Sequence, residues 1–204
     1  MPIQTRAAAD SDYAERDDAS VIGRSRNEPE VFEIVFRRYA DQIQRYVSRR
    51  IGADAADDVV AETFLLAFRQ RDRYDLSRAS ARPWLYGIAT NLIGRYRRTE
   101  VRHFHALARV GVDQVAESFT DRVDAAVSAS AVNRSLATAL ADLPAGHRDA
   151  LLLIAWGDLS HEEAATALGI QSGTVRSRIH RARTQLRRSL GDTDPSALHE
   201  ENRP

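Results

Sequence analysis

The sequence predicts an all-α protein built from two small helical domains that a flexible linker joins. Apolar residues recur three and four positions apart along both halves of the chain, which is the spacing of one helix face. Only 7% of the residues are aromatic, whereas 28% are charged and 43% are hydrophobic, and this composition favours helices over sheets. Charge is also distributed unevenly, in a pattern typical of two domains with acidic connecting segments.

The charge pattern sets the expected domain boundaries. Residues 29–98 contain thirteen arginines and nine acidic residues, and residues 132–190 contain eight arginines and five acidic residues. Acidic residues outnumber arginines elsewhere, so we expect an N-terminal extension without regular structure (1–28), a linker (99–131) and an acidic tail (191–204). The formal net charge of zero is therefore an average over segments of opposite sign.

The first basic block should contain three helices. Apolar residues follow helical spacing through residues 32–47 and again through residues 59–67, and Gly52 is placed to end the first of these helices. Pro83 is suited to the first turn of the third helix, whose apolar face follows it. The polar residues 72–78, between the second and third helices, should form an exposed loop.

The second basic block has the order of a helix-turn-helix motif. Apolar stretches on both sides of Pro144 precede the motif. Ser160 and Glu163 have the spacing of a capping box at the start of a short helix, which Gly169 should end. Ser172 is suited to cap the arginine-rich helix that follows. A capped short helix, a glycine-containing turn and a longer basic helix together predict helix-turn-helix.

The long helix of this motif carries the side chains of a DNA-reading surface. Residues 171–190 include six arginines and no acidic residue. If Val175 and Ile179 face the core, the polar side chains left for the exposed surface are Thr174, Arg176, Ser177, Arg178, His180 and Arg181. Arginine can donate two hydrogen bonds to one guanine, and hydroxyl side chains reach phosphates or base edges, so we expect major-groove binding. A solvated basic helix is the alternative.

The third helix of the first block, with the loop before it, combines aromatic and cationic side chains. Asn91 and Arg95 lie four positions apart on a polar stripe, and Tyr74, Trp84 and Tyr96 are interleaved with arginines. Unpaired bases stack on aromatic rings while arginines hold phosphates, so this part of the chain suits single-stranded nucleic acid. The alternative is that Trp84 and Tyr96 belong to the core.

Acidic residues mark one face of the second helix. Asp58 and Glu62 lie four positions apart, beside Phe64. Carboxylates at a helix start also favour the helix dipole. Paired carboxylates raise the question of acid–base catalysis, but nothing in the sequence indicates a pocket or an orienting base. A protein-docking face is therefore the expectation.

The composition excludes several kinds of chemistry. The chain has no cysteine and no lysine, so it lacks thiol nucleophiles, disulfides and lysine-dependent phosphate or Schiff-base sites. His161 and Glu162 begin the zinc motif HExxH, but Ala165 stands at the second histidine position, and His103 and His105 have no further ligand pattern. We expect no metal, no cofactor and no enzymatic activity. The N-terminus is polar and no apolar run could cross a bilayer, so we expect a cytoplasmic protein.

Two sets of motifs together resemble a known family. Residues 58–64 (DVVAETF) and 83–91 (PWLYGIATN) resemble region 2 of bacterial extracytoplasmic-function (ECF) RNA polymerase sigma factors. Residues 157–170 and 173–183 resemble region 4 of the same family, and the two regions occur in the order that the family has. The resemblance implies a subunit that binds core RNA polymerase and directs promoter recognition and melting.

The resemblance also implies which residues act. Asp58, Glu62 and Phe64 would face the clamp helices of the polymerase β′ subunit, while region 4 would contact the β flap. The residues that would read and hold the melted −10 element are Tyr74, Asp75, Ser77, Arg78, Asn91 and Arg95. The exposed side chains of the basic helix would read the duplex −35 element, with Arg178 nearer phosphate.

Two further expectations concern partners. Family resemblance suggests an anti-sigma factor that masks the docking surfaces. The alternative function is that of a stand-alone helix-turn-helix regulator, which would bind operator DNA as a dimer. That alternative leaves the carboxylate face and the aromatic and arginine side chains of the first block unexplained.

Overall fold

The computed structural model describes residues 17–110 and 133–191, and within these ranges it contains α-helices and short 3₁₀ turns but no β-strand. The predicted all-α class is confirmed. The helices of the described ranges are α1 (Asp18–Ser25), α2 (Glu33–Ile51), α3 (Ala53–Gln70), α4 (Arg82–Arg95), α5 (Arg97–Val110), α6 (133–141), α7 (Ala145–Ala155), α8 (His161–Leu168) and α9 (Ser172–Ser189). The remaining parts of the predicted extension, linker and tail lie outside the described residues.

Helices α1 to α5 form a bundle around one core. Ile43 and Val47 of α2 are fully buried, as the helical spacing predicts. Gly52 ends α2 with a φ of 87°, a conformation that side-chain-bearing residues rarely adopt. Pro83 lies in the first turn of α4, as predicted. Because α3 and α4 both pack against α2, the acidic face of α3 and the polar stripe of α4 belong to one rigid unit.

The expectation that residues 1–28 lack regular structure is wrong for residues 18–25. These residues form α1, whose N-cap Asp17 accepts a hydrogen bond from the backbone N–H of Ser20 at 2.8 Å. Val21 and Ile22 are fully buried in the core of the bundle. Tertiary packing therefore stabilises a short helix that its polar composition alone would not support.

The expectation of a linker beginning at residue 99 is also wrong for its first part. Helix α5 continues to Val110, and both Glu100 and Phe104 are buried. Phe104 is 6.1 Å from the ring of Trp156, a residue of the second half of the chain. Residues 99–110 are therefore a helix that packs against both halves of the molecule, and they do not form a linker.

Helices α8 and α9 form the predicted helix-turn-helix. Both hydrogen bonds of the capping box are present, at 2.8 and 3.1 Å between Ser160 and Glu163. Gly169 ends α8 with a φ of 63°. The prediction that Ser172 caps α9 is wrong, because Gln171 occupies the N-cap position without a side-chain hydrogen bond and Ser172 is the first helical residue.

The two halves of the chain pack together through α4 and α8. A Cβ atom built on Gly87 of α4 would lie 2.5 Å from the carbonyl oxygen of Ala167 in α8, so a side chain at this position would force the helices apart. Arg82, at the start of α4, donates a hydrogen bond of 2.7 Å to the carbonyl oxygen of Gly157. The helix-turn-helix therefore rests directly on the polar stripe of α4.

A buried ionic network joins the same two halves. Glu100 of α5 accepts hydrogen bonds from Arg50 of α2 at 2.6 Å and from Arg148 of α7 at 2.9 Å. Arg50 also pairs with Asp149 of α7. Burial alone would lower the pKa of Arg50, but Tyr46, Glu100 and Asp149 raise it above its usual value. Arg50 is thus held in its charged form, with its charge compensated.

Candidate nucleic-acid interface

The basic helix α9 presents its predicted DNA-reading side chains on the face away from the core. Val175, Ile179 and Ala182 are buried. The predicted residues that are exposed are Thr174, Arg176, His180 and Arg181, and those that are partly exposed are Ser177 and Arg178. These six side chains occupy the first ten residues of the helix, which is the part that helix-turn-helix proteins insert into the major groove.

Two arginines of α9 have neighbours within the protein. Arg176 is 3.4 Å from Glu162 of α8, and both side chains are largely exposed, so this contact is weak and leaves Arg176 available for other partners. The guanidinium of Arg178 lies against Gly146 at the start of α7, where a Cβ would be 3.2 Å from its Nη1 atom. Arg178 is thus oriented by the helix behind it.

Tyr74 shapes the loop before α4 rather than projecting from it. It is 6% exposed, and its hydroxyl group donates a 2.7 Å hydrogen bond to the carbonyl oxygen of Arg78. Its ring packs on Trp84 with 5.0 Å between ring centroids. The expectation that residues 72–78 are an exposed loop is therefore wrong at Tyr74, whose ring is covered and not free to stack on a base.

Asp75 orders the tip of this loop. Its carboxylate accepts hydrogen bonds from the backbone N–H of Ser77 at 3.0 Å and from the Ser77 hydroxyl at 2.7 Å. Arg78 donates a further hydrogen bond to it at 3.2 Å. Hydrogen bonds from Ser77 and Arg78 lower the pKa of the Asp75 carboxyl. The exposed side chains of Ser77 and Arg78 are thus held in a defined turn.

A cleft of about 380 Å³ lies between this loop, α4 and α8. The predicted −10 residues that line it are Tyr74, Asp75, Arg78 and Asn91. Thr166 and Ala167 of α8 form part of its wall. Arg95 lies one turn beyond Asn91 and pairs with Glu62 of α3 at 2.8 Å. The structure brings four of the six predicted residues into one cleft and places Ser77 and Arg95 outside its lining.

The acidic face of α3 differs from the prediction in its apolar part. Asp58 is exposed and Glu62 is partly exposed, but Phe64 is buried at 6% exposure. Phe64 packs edge-on against Phe36 of α2, with ring centroids 4.8 Å apart. Phe36 and Leu65 are 46% and 47% exposed and supply the accessible apolar surface next to the carboxylates. The expectation that Phe64 belongs to the exposed docking face is therefore wrong.

Two charged residues that position the site were not predicted from the sequence. Arg50 follows Tyr46 and Val47 at helical spacing, so its place on the buried stripe of α2 was a readable signal. Asp18 precedes Val21 and Ile22 at the same spacing in α1. In both cases a charged residue on an apolar stripe indicates a buried polar contact.

The described residues show neither a metal-binding cluster nor a membrane-spanning helix. In residues 17–110 and 133–191, no group of three histidine, aspartate or glutamate side chains is arranged to hold a metal ion. None of the helices in the same part of the chain is long and apolar enough to cross a membrane.

Comparison with known proteins agrees with the helix-turn-helix and with the bundle. The family model for Sigma-70 region 2 matches residues 35–103, and the model for Sigma-70, region 4 matches residues 133–186. The chain is 30% identical over 190 residues to the ECF RNA polymerase sigma factor SigC of Mycobacterium tuberculosis (strain CDC 1551 / Oshkosh), which covers 88% of this chain and 92% of SigC. The chain belongs to the ECF sigma factors. It therefore directs RNA polymerase in transcription initiation, and the stand-alone regulator is not favoured.

Solved structures show the same fold for this sigma factor. CnrH, in complex with the cytosolic domain of CnrY, aligns over 91% of this chain and 99% of its own, with a TM-score of 0.57 and 24% identity. The sigma factor RpoE, in complex with the anti-sigma factor NepR from Bartonella quintana, aligns over 80% of this chain and 98% of its own. For RpoE the TM-score is 0.53 and the identity is 25%. Helices α1 to α5 contain region 2 of the sigma factor, and α6 to α9 contain region 4.

Proposed function

We propose that this sigma factor reads the two promoter elements with two separate surfaces. The first ten residues of α9 read the duplex −35 element, with Arg181 as a principal base contact. The cleft between the 72–78 loop and α4 receives the melted −10 element, where Asn91 and Arg78 contact bases and phosphates, and Ser77 contacts the strand from the loop tip outside the cleft. The observation that supports this most strongly is the joint exposure of a basic helix-turn-helix face and a preformed loop in one chain.

The acidic face of α3 is the proposed docking surface for the clamp helices of the polymerase β′ subunit. Asp58 and Glu62 offer negative charge, and Phe36 and Leu65 offer exposed apolar area beside it. A mixed acidic and apolar surface of this kind suits a basic helical partner with apolar contacts. Region 4 is proposed to contact the β flap.

The position of α8 has a consequence for promoter binding. Because Thr166 and Ala167 line the same cleft as Asn91, region 4 restricts access to the proposed −10 surface in this structure. We infer that α8 moves off α4 when the sigma factor binds polymerase and promoter DNA. An anti-sigma factor, of the kind bound to RpoE in the solved complex, would act by keeping these surfaces covered.

Two further proposals concern catalysis and the cellular compartment. The protein is proposed to catalyse no reaction itself, because its function is to bind and orient polymerase, whose own active site makes RNA. It is proposed to act in the cytoplasm, where its polymerase partner is found. Neither inference requires a cofactor or a metal.

A run-off transcription assay tests the proposed function. The purified chain and core RNA polymerase are incubated with a library of linear templates whose −35 and −10 segments are randomised. We expect defined transcripts, enriched for particular sequences in both segments, only when both proteins are present. Transcripts with enrichment at neither segment would contradict the proposed reading surfaces, and transcripts from core polymerase alone would contradict the need for this subunit.

A further inference from the structure

Helix α1 lies along the loop that joins α3 to α4 and is attached to both of its ends. At the end nearer α4, the backbone N–H of Asp18 donates to the carbonyl oxygen of Ala79 at 3.0 Å, and the Asp18 carboxylate accepts from the backbone N–H of Ala81 at 2.7 Å. At the end nearer α3, Arg26 donates to the carbonyl oxygen of Tyr74 at 3.1 Å. Helix α1 and its C-cap residue Arg26 thus span the loop from end to end.

The same helix also contacts the loop in its middle. The two terminal methyl groups of Leu76 lie 3.5 Å from where a Cβ on Gly23 would be, so the side chain of Leu76 rests on α1 although 43% of its surface is exposed. Arg71, just before the loop, donates a hydrogen bond of 3.1 Å to the carbonyl oxygen of Ser25. Hydrogen bonds inside the loop shape its tip, whereas α1 connects the loop to the bundle.

The carboxylate of Asp18 is the centre of this attachment. It is buried, and its Oδ1 atom accepts a 2.7 Å hydrogen bond from Arg38 of α2. Its Oδ2 atom accepts from the hydroxyl of Tyr39 and from the N–H of Ala81. Burial, with the hydrogen bond to Asp18, raises the pKa of Tyr39 to about 12, so the phenol stays protonated and remains a donor even at alkaline pH. A buried carboxylate with three donors holds its neighbours in a narrow geometry.

We propose that Asp18 is a positioning residue for promoter reading, which together with Arg26 holds the loop that joins α3 to α4 in the position where Ser77 and Arg78 meet the melted −10 element. Asp18 itself touches no DNA in this proposal. The proposal rests on the proposed function of the loop, and it adds that the accuracy of −10 reading is set in part from α1. Loosening either end of the loop should reduce discrimination among −10 sequences while leaving −35 reading unchanged.

The test uses holoenzyme assembled from core polymerase and the full chain, with the randomised template library as the probe. In Asp18→Asn the new amide nitrogen cannot accept a hydrogen bond, so either Arg38 at the Oδ1 position or both Tyr39 and Ala81 at the Oδ2 position lose their acceptor, and the buried negative charge is lost in both cases. We expect sequence enrichment in the −10 segment to fall about tenfold, as loss of a charged hydrogen bond predicts. Enrichment in the −35 segment and the affinity for core polymerase should stay within twofold of the wild type.

A matched variant separates positioning from general stability. Val47→Ala removes buried volume from α2, about two helical turns from the Tyr39 that contacts Asp18. Each variant is assayed at the same number of degrees below its own melting temperature, so that both are folded to the same extent. A loss of −10 enrichment in Asp18→Asn that is no larger than in Val47→Ala would overturn the proposal. If Asp18→Asn does not fold, Arg26→Ala tests the other end of the loop, with the same expected and overturning results.

Two further variants separate this proposal from the function on which it rests. Arg78→Ala and Asn91→Ala alter the proposed reading side chains directly. If both leave −10 enrichment unchanged, the loop does not read the −10 element and the proposed function is wrong. If they reduce the enrichment while Asp18→Asn and Arg26→Ala do not, the loop reads promoter DNA without help from α1 and only the positioning role is overturned.

Discussion

At the scale of single residues, Arg181 is the side chain whose loss should affect −35 recognition most directly. It is exposed on α9, beside His180 and one turn from Ser177, and it has no acidic neighbour along the helix. Arg181→Ala should weaken discrimination for the preferred −35 sequence by about 1–3 kcal/mol, the usual contribution of an arginine contact to a base pair. Holoenzyme binding to duplexes with matched and mismatched −35 segments measures this.

The control for Arg181 is another arginine of the same helix. Arg187 is exposed in the last turn of α9, away from the proposed reading face. Arg187→Ala should alter affinity equally for matched and mismatched duplexes, because it removes charge without removing a base contact. An Arg181→Ala variant with the wild-type −35 preference would contradict the proposal that this face of α9 reads the −35 element.

Glu62 tests the proposed polymerase face. Charge reversal in Glu62→Arg places a cation where a basic partner is expected and also removes the pair with Arg95, so affinity for core polymerase should fall at least tenfold. Fluorescence anisotropy of labelled chain titrated with core polymerase gives the affinity. Asp72→Arg is the matched charge reversal, exposed just beyond the end of α3, and should bind normally. Equal affinities of the two variants for core polymerase would show that Glu62 does not contribute to the interface.

The sequence predicted which residues take part in each surface, but it did not predict which of their side chains are buried. Spacing placed Phe64 and Tyr74 next to polar groups, and both are buried because aromatic partners from elsewhere, Phe36 and Trp84, cover them. Helical periodicity shows which residues share a face, but not which neighbour packs on it. By contrast, the buried and exposed faces of α9 agree with the prediction because one stripe of the helix is strongly apolar.

At the scale of secondary-structure elements, the helix-turn-helix depends on the cap of its first helix. Ser160→Ala removes the side-chain acceptor for the N–H of Glu163 and should lower the free energy of unfolding by about 1 kcal/mol. Denaturant unfolding followed by circular dichroism measures the change. Ser189→Ala, at the exposed last residue of α9, is the control and should be neutral. A cap variant as stable as the wild type would show that packing alone maintains this helix.

Strong local signals allowed the elements to be predicted where they occur. The capping box, the glycine at position 169 and Pro83 each mark a helix boundary that the structure has. Helices α1 and α5 carry weaker local signals, and both are stabilised by burial of a few side chains against other helices. Long-range packing overrides local propensity in such segments, so the sequence alone did not reveal them.

At the scale of the whole molecule, the contact between regions 2 and 4 depends on buried charges. Glu100 sits between Arg50 and Arg148, and all three side chains are at most 3% exposed. Arg50 and Arg148 each lie about fifty positions along the chain from Glu100, so no local pattern could have predicted that the three residues meet. Removing one charge from such a network leaves the others uncompensated in a buried environment, which costs about 3–5 kcal/mol.

Glu100→Gln should therefore both destabilise the chain and separate its two halves. We expect the free energy of unfolding to fall by about 3 kcal/mol and the distance between regions 2 and 4 to increase. Because the chain has no cysteine, dyes placed through Ala53→Cys and Ser189→Cys report that distance by energy transfer. Glu162→Gln removes an exposed charge as a control and should change neither quantity. Wild-type energy transfer in Glu100→Gln would show that the network does not hold the halves together.

Promoter melting tests most directly whether this sigma factor, together with core polymerase, opens and holds the −10 element. A duplex template selected from the transcription library is treated with permanganate, which oxidises unpaired thymines, in the presence of core polymerase, the chain, or both. A sigma factor with a −10 reading surface predicts reactive thymines in the −10 segment only when both proteins are present, and fewer in the Asn91→Ala variant. Protection of the duplex by the chain alone, with no reactive thymines when polymerase is added, would contradict this function.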